Sequence, residues 1–167
     1  RDAFDLYGAI CQKLALIHTE SEQYDTALQH HLQFVKASQT LNGYNSEAAA
    51  WSYNYLVMLL LALKHYRPAL YYVRLGLGIM NKIRDKTEEV KECISDFEAS
   101  LETIQFEAQD LSEKSISFCT WCLKDELHSK LSQCARCKQV QYCSKECQAN
   151  DWKIGGHRSE CAQLSSK

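Results

Sequence analysis

The sequence predicts a mainly α-helical protein, in which helical hairpins and a long capping helix are followed by a small metal-stapled finger. Apolar residues recur at helical spacing through the first two thirds of the 167 residues. Two pairs of predicted helices show similar sequences at an offset of 42 residues. Seven of the nine cysteines fall in the last third of the chain. We therefore assign residues 1–115 to a helical domain and 116–167 to the finger.

The four hairpin helices are indicated by apolar periodicity and by their capping residues. Apolar side chains three and four apart mark helices from Phe4 to Ile17 and from Tyr24 to Val35, separated by a polar break. Ser46 can cap a third helix, after a loop that contains Gly43. The single proline, Pro68, suits the first turn of a fourth helix. The longest apolar run, 56–63, is too short to span a bilayer and is expected to be a buried helix.

The second helix of each pair begins with a related segment, Tyr24-Asp25-Thr26-Ala27-Leu28 and Tyr66-Arg67-Pro68-Ala69-Leu70. The small Ala and the neighbouring Tyr resemble the tetratricopeptide repeat, in which such hairpins stack. The resemblance implies that a partner binds in the concave face, where Asn54 is a candidate contact. The offset exceeds the usual period of about 34 residues. Either an insertion at 42–46 or longer helices would explain this difference, and a generic hairpin array is the alternative.

A long fifth helix is predicted from Asp85 to Glu113. Its apolar residues alternate steps of four and three: Val90, Ile94, Phe97, Leu101, Ile104, Ala108 and Leu111. This seam can cap the exposed end of the hairpin array, which is the interpretation we favour. The alternative is a coiled-coil dimer through residues 90–111.

The finger is predicted from a dense set of soft metal ligands. They read C-x2-C-x11-C-x2-C-x5-C-x3-C-x9-H-x3-C and are Cys119, Cys122, Cys134, Cys137, Cys143, Cys147, His157 and Cys161. Eight ligands fill two tetrahedral zinc sites. A finger this small cannot bury a self-sufficient core, so bound metal is expected to stabilise it. Disulfides or core thiols are the alternative, but the histidine fits no disulfide scheme and nothing indicates secretion. Cys11 and Cys93 are expected to be buried thiols.

The run Tyr142-Cys143-Ser144-Lys145-Glu146-Cys147-Gln148, followed by Asp151-Trp152 and His157-Arg158-Ser159-Glu160-Cys161, resembles a MYND-type zinc finger. The resemblance implies two cross-braced zinc sites. One takes Cys119, Cys122, Cys143 and Cys147, and the other takes Cys134, Cys137, His157 and Cys161. The long first gap and the pair Gly155-Gly156 depart from the usual spacing without touching a ligand. The HIT-type finger is the nearest alternative, and a RING finger has a different ligand order.

The resemblance also implies a binding site for short peptides, including proline-containing ones. The matching positions are Gln148 and Trp152, one turn apart on a helix that Ser144 can cap. We add Gln141, because residues 140–142 are expected to form a strand whose open edge could pair with an extended peptide. The alternative for Trp152 is that its ring fills the core of the finger.

The predicted sites disfavour several classes of function. Two zinc ions saturated by protein ligands are structural, because a catalytic zinc keeps an open position. Residues 1–118 carry a net charge of −5 and residues 119–167 one of +3, which zinc and seven thiolates would neutralise. Neither part has the basic surface that binds nucleic acid directly. His31 is expected to face the core, whereas His65 and His128 are expected to face solvent.

These inferences predict a non-catalytic adaptor, with one protein partner on the finger and a second on the helices. The alternatives are the recruiting arm of a larger enzyme, such as a SET-and-MYND lysine methyltransferase, and a transcription or chromatin regulator that acts through protein partners. Zinc-bound thiolates favour a reducing compartment, the cytoplasm or the nucleus. Because the chain begins with Arg1, we expect it to be part of a longer or processed protein.

Overall fold

The computed structural model describes residues 2–43, 45–108, 117–124, 130–153 and 157–164. The chain divides into two compact units, Arg1–Leu111 and Ser112–Lys167, and each is described by itself. The predicted domain boundary after residue 115 lies outside the described residues, as does His128.

The first unit is an array of antiparallel helices. They are α1 (Asp2–Glu20), α2 (Tyr24–Asn42), α3 (Glu47–Ala62), α4 (Tyr66–Met80) and α5 (Glu88–Glu107). Helix α1 packs on α2, α3 packs on α4, and α2 joins the two hairpins through α3. Helix α5 packs on both α3 and α4. The mainly helical architecture with a capping helix is therefore confirmed.

The two hairpins share one turn geometry. Glu22 and Lys64, 42 residues apart, both adopt the left-handed conformation with φ of 57°. In each turn the following residue donates its backbone N–H to a carbonyl five residues earlier, at 2.8 Å: Gln23 to His18, and His65 to Leu60. In each turn the left-handed residue donates a second bond to a carbonyl three residues earlier, Glu22 to Thr19 at 3.0 Å and Lys64 to Leu61 at 2.9 Å. The two bonds of each turn together form the Schellman arrangement that ends a helix. The internal repeat is thus present in the backbone as well as in the sequence.

The offset of the repeat comes from long helices. The four hairpin helices contain 15 to 19 residues each, and only residues 43–46 connect α2 to α3. The loop is therefore no insertion. As predicted, the Ser46 hydroxyl caps α3 by accepting the N–H of Ala49 at 3.1 Å, and Pro68 lies in the first turn of α4. The relationship to tetratricopeptide repeats stays a prediction.

The limits predicted for the fifth helix, Asp85 to Glu113, were wrong at both ends. The helix begins at Glu88, because the Thr87 hydroxyl accepts the N–H of Val90 and so fixes the first turn. It ends at Glu107, where Ala108 leaves the helical region with φ of −124° and ψ of 56°. No basic side chain in the last turn offsets the negative end of the helix dipole.

The apolar seam of α5 is used inside the first unit. Val90, Phe97 and Ile104 are at most 3% exposed, and the Phe97 ring lies directly against the backbone of Gly76 in α4. These three side chains of the seam are therefore buried within the first unit, without a second chain. Leu111, the last predicted member of the seam, lies outside the described residues.

Three polar residues of the first unit test predictions made from the sequence. His31 is fully buried as expected, with Nε2 2.8 Å from the Ser52 carbonyl oxygen. His65 was expected to face solvent, but this N-cap residue of α4 is only 6% exposed. Asn54 donates its amide to Asp96 at 2.9 Å, so its amide joins α3 to α5.

Cys11 and Cys93 are buried thiols, as predicted. Burial raises the pKa of the Cys93 thiol to about 11, which keeps it protonated at neutral pH. Among the described helices, none combines the length and the apolar character that crossing a membrane would require.

Candidate metal centre

The second unit builds its site from two short strands and two short helices. Strand β1 (Ser132–Gln133) pairs antiparallel with β2 (Gln141–Tyr142), and α6 (Lys145–Lys153) and α7 (His157–Leu164) follow. The predicted strand at 140–142 and the predicted helix through Gln148 and Trp152 are both present. The two helices carry three of the eight predicted ligands, the junction between β2 and α6 carries one, and two tight turns carry the other four.

Each C-x2-C pair lies in a turn closed by a left-handed residue. Leu123 and Lys138 follow the second cysteine of their pairs, with φ of 60° and 57°. Their N–H groups return to the carbonyl oxygens of Cys119 and Cys134, at 2.8 and 2.9 Å. This turn folds the backbone back on itself, so that the two thiols of each pair can point to the same place.

The other four ligands come from the β2–α6 junction and from α7. Cys143 directly follows β2, and Cys147 lies in the first turn of α6. The Ser144 hydroxyl caps this helix as predicted, by accepting the N–H of Cys147 at 3.1 Å. His157 and Cys161 begin and continue α7, four residues apart on one face.

The eight ligands meet in two groups of four. Site 1 consists of Cys119, Cys122, Cys143 and Cys147, and site 2 consists of Cys134, Cys137, His157 and Cys161. Within each group all ligand atoms lie within 4.8 Å of one another. The chain alternates between the groups, so the two sites brace each other across the finger. These are the groups that the MYND resemblance implies.

The distances between the ligand atoms suit zinc. Tetrahedral Zn–S bonds of about 2.3 Å place two sulfurs about 3.8 Å apart. In site 1, Cys143 Sγ lies 3.5 Å from Cys122 Sγ and 3.5 Å from Cys147 Sγ. In site 2, the Sγ atoms of Cys134 and Cys161 are 4.0 Å apart. His157 Nε2 lies 3.4 Å from Cys134 Sγ and 3.7 Å from Cys137 Sγ. A disulfide would need about 2.05 Å, so these thiols form no disulfide.

Within site 1 the ionisation of one thiol opposes that of its neighbours. The thiol of Cys122, assisted by backbone N–H groups of Cys122, Cys143 and Trp121, lowers the pKa of Cys119 to about 5. The same hydrogen bond to Cys119 raises the pKa of Cys122. Burial and neighbouring thiols raise the pKa of Cys147 to about 11. A divalent ion removes this conflict, because it neutralises the mutual repulsion of the thiolates.

The two sites differ in their exposure to solvent. All four ligand residues of site 2 are buried, whereas in site 1 only Cys119 is buried and the other three are partly exposed. Tyr142 and Trp152 pack edge-on against the His157 ring, with ring centroids 6.1 and 6.0 Å away. His157 Nδ1 is buried and has no hydrogen-bond partner in the described part of the chain. Packing therefore orients this ligand.

A buried hydrogen bond that sequence reasoning missed joins β2 to α6. The Tyr142 hydroxyl donates to Asp151 Oδ2 at 2.9 Å, and both side chains are at most 3% exposed. Burial and the Asp151 carboxylate raise the pKa of Tyr142. Both residues belonged to the segments that carry the MYND resemblance. The two residues are nine positions apart, one in the predicted strand and one in the second turn of the predicted helix, and this spacing could have suggested the hydrogen bond.

The predicted peptide contacts lie on two elements of the finger. Gln148 and Trp152 are partly exposed and lie one turn apart on α6. Gln141 lies in β2, but the strand edge beside it is not open as expected. Its carbonyl oxygen accepts the N–H of Thr120 at 2.8 Å and the Thr120 hydroxyl at 3.2 Å, and β1 occupies its other side. Trp152 also packs against the core of the finger, so the alternative that its ring fills this core is partly correct.

Two interleaved four-ligand sites on this small scaffold define a cross-braced, two-metal finger. Residues 119–161 match the MYND finger family. The C-terminal part of the chain is therefore a MYND finger, a protein-interaction domain. One of its clusters has four cysteines and the other has three cysteines and a histidine, and both suit structural zinc ions. The predicted MYND finger and its two predicted structural zinc ions are confirmed.

Curated relatives are similar to this chain through the finger alone. A SET and MYND domain-containing protein of Dictyostelium discoideum is 44% identical over 52 residues, 29% of this chain and 9% of that protein. N-lysine methyltransferase SMYD2 of Gallus gallus is 53% identical over 34 residues, 20% of this chain and 7% of that protein. Ubiquitin carboxyl-terminal hydrolase 19 of Arabidopsis thaliana is 38% identical over 58 residues, 35% of this chain and 8% of that protein.

The chain thus spans less than a tenth of the length of these three relatives. Their names describe a methyltransferase and a ubiquitin hydrolase, so proteins with different chemistries share this finger. No solved structure matches the chain significantly.

Proposed function

We propose that this chain is a non-catalytic adaptor that binds a short peptide on its MYND finger and a second protein on its helices. The observation that supports this most directly is the saturation of both metal sites by protein. Eight ligands form two groups of four. A tetrahedral zinc held by four protein ligands has no position left for water or substrate. Zinc then shapes a binding surface and takes no part in chemistry.

We place the peptide site of the finger at Gln148 and Trp152 on α6, together with Gln141 in β2. A partly exposed indole anchored against His157 can offer an apolar contact without losing its orientation. The Gln148 amide, one turn earlier, can donate to a peptide carbonyl. Because β2 is paired on both sides at Gln141, an extended peptide would add to β1, whose two residues are exposed. Gln141 would contribute through its side chain.

A peptide selected on the intact zinc-loaded chain tests this assignment. A phage library of 12-residue peptides supplies the probe, and fluorescence anisotropy measures its affinity. Gln148→Ala and Trp152→Phe should each weaken binding at least fivefold, while metal analysis still finds two zinc ions per chain. Lys153→Ala, an exposed change on the same helix, should leave the affinity unchanged. Equal affinity for all variants would place the peptide elsewhere.

The second partner is placed in an aromatic groove of the helical unit. Residues from α1, α2 and α3 line it: Gln12, Leu16, His31, Phe34, Ala48, Trp51, Ser52 and Tyr55. The rings of Trp51 and Phe34 supply apolar contact area, and Trp51 is 38% exposed. A second phage selection, made with the finger peptide in excess, should yield peptides that lose affinity in Trp51→Ala. If Trp51→Ala bound these peptides as tightly as the unchanged chain does, the groove would not be their binding site.

The recruiting arm of a larger enzyme is the second candidate function. The similarity to SET-and-MYND proteins favours it, although that similarity is limited to the finger. The complete coding sequence on both sides of this segment distinguishes the two candidates, because it would show whether a catalytic domain is encoded with it. We also infer a reducing location, the cytoplasm or the nucleus, because the seven thiols of the two sites form no disulfide. Imaging of a fluorescent fusion would test it.

A further inference from the structure

One ring nitrogen in the aromatic groove of the helical unit lacks a hydrogen-bond partner. His31 lines this groove and is fully buried. Its Nε2 lies 2.8 Å from the carbonyl oxygen of Ser52, which can only accept, so Nε2 carries the ring proton. Burial lowers the pKa of His31 to about 4, so the ring is neutral at pH 7. Nδ1 is therefore a buried acceptor, and nothing among the described residues donates to it.

The surroundings of this imidazole belong to the groove. The centroid of the Phe34 ring lies 5.4 Å from that of the imidazole, and the centroid of the Tyr55 ring lies 4.6 Å from it. Both of these residues, and Ser52 with its carbonyl opposite Nε2, line the groove. Leu16 and Trp51, which also line it, are 42% and 38% exposed. The groove thus runs from an exposed rim to a buried end that contains the imidazole.

The donors at this buried end already have acceptors. The Tyr55 hydroxyl donates to Thr19 at 2.9 Å, and the Ser52 hydroxyl donates to a backbone carbonyl of its own helix at 2.7 Å. The Trp51 indole donates to Glu47 at 3.4 Å. None of the residues that line the groove carries a charge at pH 7. The groove therefore suits an uncharged, apolar group that brings one donor, because a buried charge needs a partner.

The size of the groove selects a single ring. Its cavity volume is about 220 Å³. A cavity of about 150 Å³ can hold a benzene molecule, whereas sites for drug-sized ligands and cofactors measure about 300–1,000 Å³. Among aromatic side chains, tyrosine carries its donor at the far end of the ring, where it can enter a buried end while the backbone stays at the rim. Tryptophan carries its N–H on the side of the ring, and phenylalanine has no donor.

We propose that the aromatic groove receives a tyrosine side chain of the second protein partner, whose hydroxyl donates to Nδ1 of His31. This inference rests on the assignment of the groove to that partner. The tyrosine ring packs against the rings of Trp51 and Phe34. Its hydroxyl supplies the donor that the buried acceptor lacks. A phenylalanine in the same place would leave the acceptor unpaired, so the hydrogen bond makes the groove specific for tyrosine.

Two small probes test this chemistry on the intact zinc-loaded chain. Para-cresol carries the ring and hydroxyl of tyrosine, and para-methylanisole carries the same ring without a donor. An NMR titration should show para-cresol bound at least fivefold more tightly. It should also shift the nitrogen resonance of His31 Nδ1 and leave those of His18, outside the groove, in place. Equal affinity for the two probes, or an unmoved Nδ1 resonance, would overturn the proposal. Tighter binding of butylammonium than of para-cresol would overturn it too, because the occupant would then be cationic.

Peptides selected against the groove provide a second test. Each should contain a tyrosine, and its replacement by phenylalanine should weaken binding to the unchanged chain at least fivefold. The same replacement should change binding to His31→Leu less than twofold, whereas His18→Gln should keep the full preference. Peptides that lose affinity in Trp51→Ala but bind equally well with either residue would leave the groove as the partner site and refute the tyrosine. Unchanged affinity in Trp51→Ala would refute the assignment of the groove as well.

Discussion

The hydroxyl of Tyr142 and the carboxylate of Asp151, 2.9 Å apart, tie the central strand of the finger to the helix that carries Trp152. Both side chains are buried, so neither can exchange this partner for water. Tyr142 also precedes Cys143, a ligand of site 1, and packs against His157, a ligand of site 2. One hydrogen bond thus supports both metal sites.

Tyr142→Phe should weaken the finger while leaving every metal ligand in place. The change leaves a buried carboxylate without its donor, which costs about 2 kcal/mol. Because folding and zinc binding are coupled in small fingers, a chelator competition should show a zinc affinity lower by at least tenfold. In the Tyr142→Phe background, Asp151→Asn should recover part of the loss, because a neutral amide is cheaper to bury. An unchanged affinity in the single variant would show that the hydrogen bond contributes nothing.

The two zinc ions should leave the protein at different rates. Three ligands of site 1 are partly exposed, whereas all four of site 2 are buried. A colorimetric chelator should therefore remove one ion quickly and one slowly. Cys147→Ala should abolish the fast phase and lower the zinc content to one per chain, and Cys161→Ala should remove the slow phase. Cys93→Ala, a buried thiol of the helical unit, should retain two ions and both phases. A single phase in the unchanged chain would contradict the assignment.

Ligand spacing and capping residues made much of this structure predictable. The C-x2-C pairs need only a local turn to converge, and Ser46 and Ser144 cap their helices through contacts within one turn. What sequence reading missed depends on distant packing. The partner of Asn54 lies on α5, 42 residues away. The edge of β2 at Gln141 is closed by Thr120, which lies 21 residues earlier in the chain.

The error at α5 has a different origin. The apolar seam runs from Val90 to Leu111, so it begins after the observed start of the helix at Glu88 and continues past its observed end at Glu107, and periodicity alone could locate neither. Thr87, followed by two acidic residues, was a readable start signal, since its hydroxyl caps Val90 and the carboxylates favour the positive end of the helix. Periodicity identifies which face of a helix is buried, whereas capping chemistry determines where the helix begins.

The helical unit should lose stability as the pH falls from about 6.5 to 4. Burial lowers the pKa of His31 to about 4, from the ordinary value of 6.5. In the described residues Nδ1 has no hydrogen-bond partner, and Nε2 faces a carbonyl oxygen. The unfolded chain therefore binds a proton that the folded chain excludes, so the stability is complete above pH 6.5 and declines below it. At pH 5 the free energy of unfolding should be about 2 kcal/mol lower than at pH 7.

Urea unfolding followed by far-ultraviolet circular dichroism at both pH values measures this change. His31→Leu should reduce the difference between pH 7 and pH 5, whereas His18→Gln, at a partly exposed histidine, should leave it in place. Because acid also releases zinc, every variant is compared with the unchanged chain at the same pH. An identical pH dependence in His31→Leu and the unchanged chain would show that another group is responsible.

Two glycines of α4, two residues apart, should respond in opposite directions to the same substitution. A Cβ on Gly76 would lie 2.3 Å from the nearest atom of the Phe97 ring, which is fully buried and cannot move aside without disturbing α5. Gly76→Ala should therefore destabilise the helical unit by about 1–3 kcal/mol, the usual cost of overpacking. A Cβ on Gly78 meets nothing within 4 Å. Gly78→Ala should raise the free energy of unfolding by up to about 1 kcal/mol, because alanine favours the helix.

Thermal and urea unfolding of the two variants provide the comparison. Adding Phe97→Leu to Gly76→Ala should restore part of the lost stability, since the smaller side chain vacates the space that the new methyl group needs. The same Phe97→Leu change alone should destabilise the protein, because it leaves a cavity between α4 and α5. This coupling is specific to a ring packed on a helix backbone. If the two changes proved additive, α5 would not be docked on α4 through Phe97 and Gly76, and the capping role of α5 would have to rest on its other contacts.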